Sequence, residues 1–222
     1  MGGLEEYADV QAHLASAVET LSKEFEGIFE REYCRALVEE SAGQLEGSAV
    51  ATFIPILAHR FARERLRAHA LAIGALTKTV TEVVFVSITG GGRARMAASL
   101  LERRVGDTVT IHTAGSGDPS SIDDNVRAAM EEVGIDVSEK FTKPLTPEVL
   151  GAADIVVTMG RSVGRLEIPP TARHLDWRVG DPAGAALDEV RRVRDDIERR
   201  LDGLVADLQT RALVGSDGTG RG

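Results

Sequence analysis

Residues 83–101 read VVFVSITGGGRARMAASLL: an apolar run that ends in a serine, crosses three glycines and an arginine, and opens into a helical pattern. A run of this kind, with no polar residue on either face, belongs to a strand buried on both sides, and such strands occur in parallel sheets covered by helices. The chain beyond it keeps that alternation. Glu82–Val86 is expected as the first strand and Arg93–Arg104 as a helix. Asp107–Thr113 reads as a strand and Asp123–Val133 as a helix ending at Gly134, a left-handed cap. Asp154–Met159 and His174–Val179 follow as strands, and a long helix runs from Leu187 to about Leu213. The expectation is an α/β domain with a doubly wound parallel sheet.

Residues 4 to about 77 obey a different rule. Leu4, Tyr7, Val10, Leu14, Val18, Leu21 and Phe25 recur every three or four positions, which lines one face of a helix. Phe29, Tyr33, Leu37 and Val38 repeat the pattern up to a break at Gly43–Gly47. Ser48 is read as the N-cap of a third helix carrying Val50, Phe53, Ile54, Leu57 and Phe61 and stopping near Gly74. Aromatic residues are scarce, yet four of the six Phe and both Tyr fall here, which fits the core of a small three-helix bundle. The domains are therefore taken as 1–77 (helical), 82–213 (sheet) and a disordered tail, 214–222.

The loop between first strand and helix is the candidate site. In open parallel sheets ligands collect beyond the carboxyl ends of the strands. Gly90, Gly91 and Gly92 can turn successive backbone N–H groups inward into an anion nest, and the following helix N-terminus adds partial positive charge. Arg93 supplies a planar fork for a tetrahedral oxyanion. A nucleoside-triphosphate loop is excluded because no Gly-Lys-Ser/Thr ends the stretch, and a dinucleotide fingerprint because position 95 is arginine.

The totals remove other classes. A formal net charge of −9 argues against a nucleic-acid partner. No apolar run approaches the roughly 20 residues that span a bilayer. The start, MGGLEEYADV, is acidic and amphipathic rather than a basic stub before an apolar stretch, so a cytoplasmic location is expected. Cys34 is the one cysteine and is expected as a buried thiol. His13, His59, His69, His112 and His174 lack metal-ligand spacing, so no metal and no cofactor are expected. Arg60, Arg63 and Arg67 share one helical face, expected to be solvated.

SITGGGR-A resembles the C-x5-R-S loop of low-molecular-weight protein tyrosine phosphatases and of the arsenate reductases built on the same fold. The resemblance continues through Met96-Ala97-Ala98, Thr113-Ala114-Gly115-Ser116, Gly134-Ile135-Asp136-Val137-Ser138, Lys143-Pro144-Leu145-Thr146, Asp154–Met159 and Asp181-Pro182. The helical segment ahead of it is similar to a three-helix extension of some actinobacterial relatives. Together these imply a four-stranded, doubly wound parallel sheet over roughly residues 82–210. They also imply a site of Ser87, Ile88, Thr89, Gly90, Gly91, Gly92 and Arg93 holding phosphate, sulfate, an arsenate-like anion or a phosphorylated partner, with Asp181 as acid.

The departures lie at the reactive positions. The resemblance places a nucleophilic cysteine where Ser87 stands, an assisting serine where Ala94 stands, and in some reductases a cysteine where Gly160 stands. A nest and an arginine can bring a thiol from about 8.5 to thiolate at neutral pH, whereas an aliphatic hydroxyl needs an adjacent general base. Arsenate reduction needs sulfur to carry electrons. The expectation is a catalytically impaired, anion-binding protein. The alternatives are a slow hydrolase using Ser87 or activated water with Asp181 as acid, and a structural or interaction module. The apolar faces of three short helices need a neighbour, either the sheet domain or the bundle of a second chain; the spread of Phe53, Ile54, Ile56 and Leu57 favours a homodimer.

Overall fold

Strand β1 (Thr81–Ser87) is buried along its length from Glu82 onward, as its unbroken apolar run requires. It pairs in parallel with β2 (Val109–Gly115) on one side and β3 (Ile155–Met159) on the other, and β3 pairs in parallel with β4 (Arg173–Trp177). The computed structural model describes residues 2–45, 53–87, 92–115, 122–137, 144–160 and 166–216. Within it the chain divides into two compact units, Met1–Lys78 with Thr146–Ala152, and Thr79–Leu145 with Ala153–Gly222.

In the second unit the sheet order is β2-β1-β3-β4. The chain leaves β1 outward to β2, then returns across β1 to β3. The order therefore reverses between β1 and β3, and the crevice at their carboxyl ends is where such a sheet accepts a ligand. Helices α4 (Gly92–Val105), α5 (Asp124–Glu131) and α7 (Leu187–Ser216) bury their apolar faces with Phe85, Ile155, Met159 and Trp177 in one core. The Phe85 and Trp177 rings lie 5.9 Å apart. Truncating a ring so enclosed costs about 3–5 kcal/mol. Edge strand β4 carries Arg173, His174 and Asp176 on largely exposed positions, which discourages further strand addition.

Several boundaries shift for physical reasons. Asp107 and Thr108 belong to a 3-10 turn, Gly106–Thr108, so β2 starts later and runs on to Gly115. Strand β4 ends at Trp177, which releases Val179 from the ladder. Gly134 has φ +74, and Ile135 N–H reaches back to the Met130 carbonyl, closing α5 in the left-handed cap expected there. Helix α7 runs through Ser216, beyond Leu213, and 217–222 lie outside the described residues.

The first unit contains α1 (Gly2–Glu24), α2 (Arg31–Leu45), α3 (Ile54–Ala72) and α6 (Pro147–Ala152). Gly27, at φ +80, turns the chain between α1 and α2. Helix α3 begins at Ile54 with Pro55 in its first turn, so its cap is not Ser48, which lies outside the described residues. The core holds Leu21, Phe25, Cys34, Val38, Phe61 and Leu66. Phe29 stacks at 5.1 Å against both Tyr33 and His69, whose side chains share a 2.7 Å hydrogen bond. Arg63 reaches Glu24 on the exposed face that was expected for it.

Arg65, by contrast, is 2% exposed. It donates to Glu148 of α6 at 2.9 Å, to Glu40 at 3.0 Å and to Ser41 at 3.4 Å, and lies 5.8 Å from the Phe61 ring centre. Helix α6 has no counterpart in the sequence reading. Thr146 starts it, accepting Val149 N–H on its hydroxyl and Leu150 N–H on its carbonyl.

Candidate functional site

Three strand ends supply the site. After β1, the chain passes through residues outside the described set and enters α4 at Gly92, placing Arg93 in the first turn. After β3 comes Gly160, and after β4 come Val179, Gly180 and Asp181. Gly160, Val179 and Asp181 meet at the Arg93 guanidinium. Arg93 is 6% exposed, donating to the Val179 carbonyl at 3.5 Å and to Asp181 Oδ2 at 3.4 Å. Gly160, at φ +97, lies so close that an added Cβ would sit 2.8 Å from Arg93 Nη1.

The loop that carries Asp181 is fixed from two sides. A Cβ on Gly92 would lie 3.4 Å from Pro182 Cγ, so the Asp181-Pro182 turn rests on the start of α4. Asp123 caps α5 with one carboxylate oxygen, accepting from Asn125 N–H at 2.9 Å, and accepts Gly184 N–H at 3.0 Å with the other. Asn125 then donates to the Ala185 carbonyl at 2.9 Å. Asp123 was read from sequence as the start of the helix and Asn125 was not singled out, although an Asp two before an Asn at a helix start is a recognisable cap.

Beside Arg93 opens a cleft of about 1090 Å³. Among the described residues, Arg93, Gly160, Val179 and Asp181 form one end of its lining; Thr158, His174 and Asp176 line the strands, and Leu166 and Ile168 add an apolar wall. Thr158 Oγ1 and His174 Nε2 are joined at 2.8 Å. The register pairs Thr158 with Asp176, so these side chains share one face of the β3–β4 ladder.

Ser87 is the last residue of β1, opposite Gly115 and Met159. Its hydroxyl is fully buried and has no hydrogen-bond partner among the described residues. Ala94, one residue beyond Arg93, is fully buried in α4. The positions Ile88, Thr89, Gly90 and Gly91, and with them the expected convergence of backbone N–H groups, lie outside the described residues. Cys34 is fully buried in the first unit, where burial pushes its thiol pKa up. No group of three or more His, Cys, Asp or Glu able to hold a metal ion occurs among the described residues. No helix among them is long and apolar enough to cross a membrane.

Residues 82–213 match the family described as low molecular weight phosphotyrosine protein phosphatase, and residues 14–72 match the protein-tyrosine-phosphatase-like N-terminal domain. The chain belongs to the low-molecular-weight phosphotyrosine protein phosphatase family. A solved relative of this family, the thioredoxin-dependent arsenate reductase of Corynebacterium glutamicum, is 30% identical and superposes with a TM-score of 0.79, covering 89% of this chain and 97% of that one. An arsenate reductase solved in a phosphate-binding state is 26% identical, with a TM-score of 0.51 over 58% of this chain and 99% of that one. The arsenate reductase of Brevibacillus brevis is 30% identical over 124 residues, 54% of this chain and 91% of the relative. These relatives are thus matched over most of their own length, the last two by little more than half of this chain and the Corynebacterium glutamicum reductase by most of it.

Proposed function

We propose that this member of the family binds a tetrahedral oxyanion, free or as a phosphorylated group, at the Ser87–Arg93 loop and does not turn it over. The observation that carries the proposal is the placement of Arg93, buried, held by the Val179 carbonyl and Asp181, and lining the cleft beside the ends of β3 and β4. The ion pair with Asp181 is no obstacle. Asp181 is 45% exposed and 3.4 Å away, the class of pair worth about 0–1 kcal/mol. A bound dianion would accept charge-assisted hydrogen bonds worth about 1.5–3 kcal/mol each. It therefore displaces the aspartate from the guanidinium. The buried Ser87 hydroxyl adds a donor, and the α4 N-terminus adds partial positive charge.

Chemistry is limited by the side chains present. The family's thiolate would have to come from position 87, which is serine, and the chain's single cysteine lies in α2, buried with its thiol pKa raised. No base hydrogen-bonds the Ser87 hydroxyl among the described residues. Neither aryl phosphate hydrolysis nor thiol-dependent arsenate reduction follows from this set. Titration calorimetry with inorganic phosphate tests the proposal: saturable binding that Arg93→Ala abolishes supports it, and an absence of binding overturns it.

The proposal extends to the domain roles. Residues 82–213 hold the anion, and the helical segment 1–77 pairs two copies of the chain. Phe53 and Ile56, on one side of the α3 start, are 56% and 54% exposed, which supports a surface that wants covering. Sedimentation should give a dimer, and Phe53→Ser with Ile56→Ser should give a monomer.

A further inference from the structure

We propose that Arg178 is a second anion-recognising arginine of the cleft, so that the ligand held at Arg93 is a small organic phosphate carrying a further acidic group. The inference rests on the reading of Arg93 as the phosphate-holding group and adds what recognises the rest of the molecule. At about 1090 Å³ the cleft has the volume of a whole small-molecule site, far more than inorganic phosphate fills. Leu166 and Ile168 give it an apolar wall for a carbon frame, and Arg93 and Arg178 both line it. One short loop joins the two arginines. Val179 N–H donates back to the Trp177 carbonyl at 2.9 Å, closing a three-residue turn with Arg178 at its apex. The carbonyl of the same Val179 accepts from Arg93.

The turn fixes the base of Arg178 and leaves its head free. Trp177 and Val179, on either side, are both buried, and Trp177 packs on Phe85. The Arg178 carbonyl accepts from Arg200 Nη2 of α7 at 3.5 Å. Its side chain, 89% exposed, meets one charged group among the described residues: Asp176 Oδ2, 3.7 Å from Nε and itself half exposed. That separation is longer than a hydrogen bond, and so loose an exposed pair is readily exchanged for a ligand. The arrangement repeats that of Arg93 with Asp181. The guanidinium offers a planar fork that suits a carboxylate or a second phosphate. A rim arginine that served solubility alone would not discriminate between the positions of an acidic group on the ligand.

The test is calorimetry of inorganic phosphate, phenyl phosphate, 3-carboxyphenyl phosphate and 4-carboxyphenyl phosphate on wild type, Arg178→Ala and Arg178→Lys. The side chain is exposed, so neither substitution threatens the fold. At least one carboxyl isomer should bind wild type about two- to fivefold more tightly than phenyl phosphate, the size of an exposed charged contact. The two isomers should differ, because a contact is directional and a general positive field is not. Arg178→Ala should abolish the gain and leave inorganic phosphate binding nearly unchanged. Arg178→Lys, which keeps the charge and loses the fork, should recover only part of it. Equal affinities for phenyl phosphate and both carboxyl isomers in wild type, or a gain that survives Arg178→Ala, would overturn the role of Arg178 while phosphate binding stands. A wild type that binds none of the four probes would overturn the anion reading and the role of Arg178 with it.

Discussion

Arg93 and Asp181 meet in the cleft with Nη2 and Oδ2 3.4 Å apart, the arginine buried and the aspartate 45% exposed. The pair keeps the guanidinium oriented while the site is empty, at the cost of a negative charge where an anion must arrive. Asp181→Asn removes that charge and leaves a neutral side chain of the same shape. Phosphate binding should tighten, by about three- to tenfold for a partly exposed pair. Calorimetry checks this; a weaker affinity in Asp181→Asn would mean that the aspartate supports the anion through Arg93 more than it repels it.

Ser87→Cys restores a thiol at the carboxyl end of β1, yet Ala94 withholds the hydroxyl that the family resemblance assigns to its support. The single variant should hydrolyse an aryl phosphate slowly. Adding Ala94→Ser should raise the rate by up to about a hundredfold to a thousandfold, the range for one donor aimed at developing charge. Steady-state kinetics of the two variants decide it, and equal rates would show that Ala94 is not the limiting substitution.

The first unit should be sensitive to acid through Glu148. Burial alone would push this carboxyl up, but hydrogen bonds and charge from Arg65 outweigh it and hold it below the usual carboxylate range. A depressed folded value means stability that is fully present above about pH 4.3, the unfolded value, and lost as pH falls through the folded one. Glu148→Gln should therefore lower the melting temperature at neutral pH, and the gap to wild type should close below about pH 4. Arg65→Met should cost about 2–4 kcal/mol, toward the lower end of a broken buried pair because Glu40 is half exposed. A constant gap across pH would contradict the assignment.

Cys34 should behave as core, not as a redox group. A fully buried thiol with a raised pKa reacts with a disulfide reagent only as fast as the unit opens. Modification should accelerate in parallel with unfolding in urea, and rapid labelling of the native protein would contradict this.

Much of the fold was legible because its signals are local. The apolar runs of β1 and β3 marked buried strands, and Gly134 and Asp123 marked the ends of α5. Helix α6 escaped notice because six residues carry no periodicity, although Thr146-Pro147-Glu148 is a compact start signal for a helix. Arg65 was not legible as a buried residue because its neighbours Arg60, Arg63 and Arg67 read as one solvated face. Its spacing of four from Phe61 nevertheless placed it on the apolar face. The arginine of the candidate site was visible in the sequence. Its surroundings were not: the Val179 carbonyl that accepts from it and the Gly160 backbone that lies against it are brought together by separate strand ends, and no residue type announces them.

The most direct test is isothermal calorimetry of the wild-type protein with an aryl phosphate. Binding without turnover predicts saturable injection heats that return to the starting baseline, and their loss in Arg93→Ala. A sustained displacement of the baseline with release of phenolate, abolished by Ser87→Ala, would show a working hydrolase and contradict the account.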